Sequence, residues 1–105
     1  EADESGMSLL IEGIGGVMVP LDDTRTVADL VAALGIPAIL VGGSYLGSLS
    51  HTLTAYEALR ARNVTVDSVI VSETPDSDVP LDETRDVLAR FVVPVPVEVM
   101  PFEPR

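Results

Sequence analysis

Short, uniformly apolar runs alternate along this chain with longer stretches in which apolar residues recur every three or four positions. "SLLIE" (Ser8 to Glu12), "PAILVG" (Pro37 to Gly42), "VDSVIVS" (Val66 to Ser72) and "PVEVM" (Pro96 to Met100) have strand length and are bounded by glycine, proline or polar residues. "TVADLVAAL" (Thr26 to Leu34) predicts a helix: Thr26 stands three residues before Asp29 in an approximate capping pattern, and Gly35 supplies the stop. "SLSHTLTAYEALRARN" (Ser48 to Asn63) carries Leu49, Leu53, Tyr56 and Leu59 at helical spacing and ends in arginines, which suit the negative end of a helix dipole. From Pro80 to Val92 a third helix is predicted, with Val87, Leu88, Phe91 and Val92 on its inner face.

The resulting order is β-α-β-α-β-α-β. The strands are too evenly apolar to expose one face, and their alternation with helices implies right-handed crossovers and a parallel sheet. Residues 1–7 are polar and small and read as a tail or linker, leaving residues 8–105 as one α/β unit without internal repeats.

Composition narrows the chemistry. Hydrophobic residues make up 47% of the chain and aromatics only 4%, so the core is expected to be Val, Leu, Ile and Ala. With no cysteine, disulfides, thiolate zinc sites and cysteine nucleophiles are excluded. The net charge of −11 repels a phosphate backbone, which argues against nucleic acid as partner and otherwise serves solubility. All six basic residues are arginine (Arg25, Arg60, Arg62, Arg85, Arg90, Arg105), so any ammonium needed on a phosphate must come from outside the chain. No apolar run reaches the roughly 20 residues of a membrane span, and the acidic start is not that of a signal peptide, so a cytoplasmic location is expected.

In a parallel α/β sheet, ligands bind beyond the carboxyl ends of the strands. Two loops there stand out. In "IEGIGG", Glu12 ends the first strand, a position from which a carboxylate can reach Mg²⁺, and Gly13, Gly15 and Gly16 clear side chains from beside it. The same residues also fit a solvated acid and a flexible turn, and "GIGG" matches neither the dinucleotide nor the P-loop fingerprint. In "GGSYLGSLSH" (Gly42 to His51), a glycine-bearing loop enters a helix at Ser48. Its free N–H groups suit a carboxylate or phosphate, while capping by Ser48 or Ser50 explains the residues as well. His51, the only histidine, reads as hydrogen-bonded and structural, and Tyr45 as a loop anchor. The acidic pairs Asp22 with Asp23 and Asp76 with Asp78 read as turns, and no serine lies in a nucleophile elbow.

Two long motifs in order, "IEGIGGVMVPLDDTRTVADL" and "PAILVGGSYLGSLSHTLT", followed by "VIVS" and a final strand running into "MPFEP", resemble the C-terminal half of the dethiobiotin synthetase family. The resemblance runs from about Ser8 onward. It implies a three-layer P-loop-NTPase-like parallel sheet with flanking helices, present here as a partial domain. It also implies ATP- and Mg²⁺-dependent ring closure on 7,8-diaminononanoate: an amine takes up CO₂ as a carbamate, the γ-phosphate activates it, and the second amine closes the ureido ring. On that resemblance, Glu12 is a Mg²⁺ ligand, and Gly13, Gly15 and Gly16 line the substrate and phosphate pocket. Gly47, Ser48, Leu49 and Ser50 hold the distal carboxylate of substrate reaching in from the neighbouring subunit of a homodimer. Ser72, Pro101, Phe102 and Glu103 border the adenine.

The family's N-terminal half, with its P-loop, phosphate-binding lysines and second magnesium carboxylate, is not in this sequence, and no lysine substitutes for it. The 105 residues alone are therefore expected to be inactive and to need that missing half as partner. Ser50 and Ser72 each stand where the family usually has asparagine. An amidoligase of the cobyrinic acid synthetase type and a non-catalytic nucleotide-binding or regulatory module are the alternatives.

Overall fold

A computed structural model describes residues 9–11 and 16–103. The elements run β1 (Leu9–Ile11), α1 (Val27–Leu34), β2 (Ala38–Gly43), α2 (Ser48–Ala61), β3 (Val66–Ser72), α3 (Leu81–Phe91) and β4 (Val97–Met100). The four strands form one parallel sheet in the order β1-β2-β3-β4. Each boundary lies close to the punctuation that predicted it. Thr26 and Asp29 cap α1 reciprocally, and Gly35 ends it in the left-handed region at φ 68. Asn63, also left-handed at φ 61, follows the end of α2.

Successive side chains on a strand point to opposite faces. On one face Ala38, Leu40, Val69 and Val71 are buried together with Val31 of α1, Tyr56 and Leu59 of α2, and Leu88 of α3. Among the described residues, one core thus takes residues from all three helices and from one set of strand positions. The topology explains this: consecutive strands that are also neighbours, joined by crossovers of one hand, place every helix on the same side.

The other face differs from the sequence expectation. Ile39, Val41 and Ile70 are only half-buried and lie outside that core, with Val41 opposite Ile70 and Ile70 opposite the exposed Glu98. The described residues thus supply the sheet and one helical layer of the expected architecture. On α3, the inner face is Leu81, Thr84, Leu88 and then Val92, whereas Phe91 is 63% exposed. Phe91 sits about 100° around the helix from Val92, and the buried Thr84 is accommodated because its hydroxyl donates to Pro80 O at 3.1 Å.

Helices α1 and α2 are tied by charge. The Arg62 guanidinium donates through Nε to Asp29 Oδ1 at 2.8 Å, and the same carboxylate accepts the Thr26 N–H at 2.9 Å through Oδ2. These bonds, Arg62 first, hold Asp29 at a pKa of about 2, below its ordinary 3.8. A depressed acid stabilises the fold fully above its ordinary value and ceases to do so as pH falls through the folded one. Asp29→Asn is therefore expected to flatten the acid limb of a thermal-stability profile between about pH 4 and pH 2. An acid limb identical in the variant and the parent would disprove that role. No helix among the described residues is long and apolar enough to cross a membrane.

Candidate functional site

Because the strands are parallel, their carboxyl ends share one edge. Gly43, Ser72 and Met100 lie side by side there across β2, β3 and β4. The loops beyond them carry most of the polar residues singled out in the sequence.

Beyond β2, the chain turns into α2 through Gly47, which is the N-cap at φ 91, a backbone conformation that glycine adopts without penalty. Among the described residues no side chain caps this helix, and no acid lies in its first turn. Capping by Ser48 or Ser50, left open by the sequence, is thus not what these serines do. Ser50 is exposed, Leu49 packs against the core, and Ser48 is 1% exposed. The Ser48 N–H donates to Tyr45 O at 2.9 Å, but its buried hydroxyl has no hydrogen-bond partner among the described residues. An unmatched buried hydroxyl costs stability, so its presence at an open helix N-terminus is an observation that a ligand would explain. The Tyr45 hydroxyl lies 2.8 Å from His51 Nδ1, joining the loop to the first turn of α2. His51 is therefore hydrogen-bonded, and Tyr45 anchors the loop.

Glycine brings these parts close. A Cβ on Gly42 would run into the Thr52 side chain of α2, and one on Gly43 would lie 2.7 Å from the Tyr45 ring and 2.8 Å from Thr74 Oγ1. The first turns of α2 and the loop before it therefore rest directly on the end of β2.

The loop beyond β3 is fastened to the loop beyond β2. The Ser44 N–H donates to Thr74 Oγ1 at 3.0 Å, and the Thr74 N–H donates to Ser44 Oγ at 2.9 Å. The Ser77 hydroxyl donates to Ser44 O at 2.6 Å. Between them, Pro75 and Asp76 form a tight turn in which Asp76 takes φ 62 and the Ser77 N–H reaches Thr74 O at 3.3 Å. Asp76 is an exposed turn residue.

The neighbouring Glu73 reaches the other way. Its N–H donates to Met100 O at 2.8 Å, and its carboxylate accepts the Phe102 N–H at 2.9 Å. Ser72, Pro101, Phe102 and Glu103 are thereby gathered at one corner, with the last three exposed. None of Ser44, Glu73, Thr74 or Ser77 stands out in the sequence. The signal that could have found them is the parallel register, which sets Gly43 beside Ser72 and hence one loop beside the other.

Glu12, Gly13 and Gly15 lie outside the described residues. Gly16 is half-buried, in the left-handed region at φ 80. Asp22 is structural: its Oδ1 accepts the Thr24 and Arg25 N–H groups, and its Oδ2 pairs with the Arg25 guanidinium at 2.8 Å. These bonds, the Thr24 N–H first, hold its carboxyl below the usual value. Among the described residues no group of three or more His, Asp or Glu is placed to hold a metal ion.

Comparison with known proteins gives these positions a context. The AAA domain family matches residues 2–102. The chain is 50% identical over 88 residues to an ATP-dependent dethiobiotin synthetase of Acidiphilium cryptum (strain JF-5), covering 84% of this chain and 40% of that relative. It is 52% identical over 93 residues to the protein of the same name from Caulobacter sp. (strain K31), covering 89% and 40% respectively. A third, from Anaeromyxobacter sp. (strain K), is 38% identical over 100 residues, covering 92% of this chain and 44% of that protein. The chain thus spans well under half the length of these relatives.

Proposed function

This chain belongs to the AAA domain family, and from that premise we propose that it is the C-terminal part of an ATP- and Mg²⁺-dependent dethiobiotin synthetase that closes a ureido ring on 7,8-diaminononanoate and CO₂. The observation that carries this reading is the start of α2: an N-terminus that no side chain among the described residues caps, and whose first residue, Ser48, buries a hydroxyl without a partner among those residues. Backbone N–H groups and the positive end of a helix dipole favour an anion, and the proposed substrate ends in a carboxylate. Gly47, Ser48, Leu49 and Ser50 hold that carboxylate on this reading, with the substrate spanning from a neighbouring subunit.

The corner made by Ser72 and the tail from Pro101 to Glu103 borders the adenine. Ser72 offers a hydroxyl that both donates and accepts, so it can meet an adenine edge, at shorter reach than an asparagine. ATP with Mg²⁺ supplies the phosphoryl group that activates the carbamate. Glu12 is the one residue proposed here as a magnesium ligand, and a carboxylate oxygen is the donor that this hard cation takes alongside phosphate and water. Gly13, Gly15 and Gly16 line the phosphates on this reading, since residues without side chains let backbone approach a ligand. The lysines that neutralise those phosphates lie outside a chain that has none. The half-buried face of Ile39, Val41 and Ile70 is where the remainder of the protein seats.

The test is ring closure itself. The full-length protein is expected to convert diaminononanoate, CO₂ and ATP to dethiobiotin, ADP and inorganic phosphate only when Mg²⁺ is present, as read by mass spectrometry, whereas the isolated 105 residues convert none. A full-length protein that binds ATP yet forms no dethiobiotin would overturn the reading. Tight ATP–Mg²⁺ binding by the 105 residues in isothermal titration would remove the dependence on a second half.

A further inference from the structure

The two ligand regions proposed above are joined in this chain by a five-residue bridge, 73–77. Glu73 holds the tail beside the adenine corner through Phe102 N–H, and Thr74 holds the loop that leads into α2 through reciprocal bonds with Ser44. Ser77 adds a third tie, to Ser44 O. The bridge faces both ways: the Glu73 carboxylate reaches the tail, and Thr74 reaches Ser44. Gly43 makes room for it: any side chain there would enter the space of Thr74 Oγ1 and the Tyr45 ring.

We propose that Thr74 is a positioning residue: its reciprocal hydrogen bonds with Ser44 fix the carboxylate-binding start of α2 relative to the nucleotide corner held by Glu73. This rests on the functional reading given above. A Thr hydroxyl that accepts one N–H while the Thr N–H donates back to a Ser hydroxyl leaves little freedom for either loop to shift alone. Ser44 is fully buried, so water does not compete for these bonds. Since phosphoryl transfer depends on the reacting groups being held in line, a small relative displacement of the two loops lowers turnover as well as affinity.

The experiment compares Thr74→Val with Thr74→Ser in the full-length protein. Valine keeps the shape and removes the hydroxyl that accepts the Ser44 N–H, and serine restores it. The expected result is that Thr74→Val raises KM for diaminononanoate about tenfold and lowers kcat, with KM for ATP within about twofold of the parent. Thr74→Ser is expected to stay within about twofold of the parent in all three. Should Thr74→Val fail to fold, Ser44→Ala removes the opposite hydroxyl and is expected to show the same split. Unchanged kinetics in Thr74→Val, equal losses for both substrates, or a loss that serine does not rescue would overturn the proposal while leaving an active parent. A parent that forms no dethiobiotin overturns this inference together with the reading beneath it.

Discussion

Leu59→Ala is expected to destabilise the protein by about 2–5 kcal/mol, the range for truncating a buried leucine when its surroundings collapse only partly into the space. Leu59 is fully buried on α2 within the core shared by β2, β3 and the other two helices. Its carbonyl also accepts the N–H groups of Arg62 and Val64, so the residue sits where the helix turns back toward β3. A domain's whole stability is about 5–15 kcal/mol, and here only one face of the sheet has a helical layer among the described residues, so the loss is a large share of the total. The check is the shift in denaturant midpoint at unchanged slope, set against Leu30→Ala at a position 47% exposed, for which less than 1 kcal/mol is expected. A Leu59→Ala shift no larger than that of Leu30→Ala would show that the core lies elsewhere.

How the fold was readable follows from what each signal reports. Strand and helix order was legible because Gly35, Pro37, Asn63 and Pro80 mark boundaries by backbone conformation alone, which needs no tertiary partner. The Thr26 and Asp29 box is equally local, and its further bond to Arg62 is the only part that required the fold. Coverage of the sheet was not legible. Ile39, Val41 and Ile70 are as apolar as Leu40, Val69 and Val71, and apolarity records that a face is to be covered without recording which part of the protein covers it. On α3 Leu88 and Val92 were legible as core, Phe91 was assigned inward and is exposed, and Thr84 was missed because a buried threonine satisfied through Pro80 O is invisible to a hydrophobic pattern.

The candidate site was legible in its places and less so in its contacts. "GGSYLGSLSH" located the start of α2 correctly, yet serines near a helix start suggest caps, and only the structure shows that Gly47 takes that position while Ser48 is buried without a partner among the described residues. Serine and threonine in loops are common enough that Ser44, Thr74 and Ser77 carry no signal until the register of β2 against β3 sets them side by side.

Ser48 yields the second large effect, because stability and binding are expected to move in opposite directions there. Removing a buried hydroxyl that has no partner among the described residues relieves its desolvation cost, so Ser48→Ala is expected to raise unfolding free energy by about 1 kcal/mol. If that hydroxyl is kept for a substrate carboxylate, the same variant raises KM for diaminononanoate about tenfold and leaves KM for ATP alone. Ser48→Asp goes further, since a carboxylate on the first residue of an uncapped helix can take the open N–H groups itself and repel the substrate's own. For that variant the expected rise in KM is about a hundredfold, again without a matching change for ATP. Equilibrium unfolding and steady-state kinetics on the full-length protein measure both quantities. A Ser48→Ala protein that is less stable and kinetically normal would mean that the hydroxyl serves packing and that the anion seat at α2 is not used.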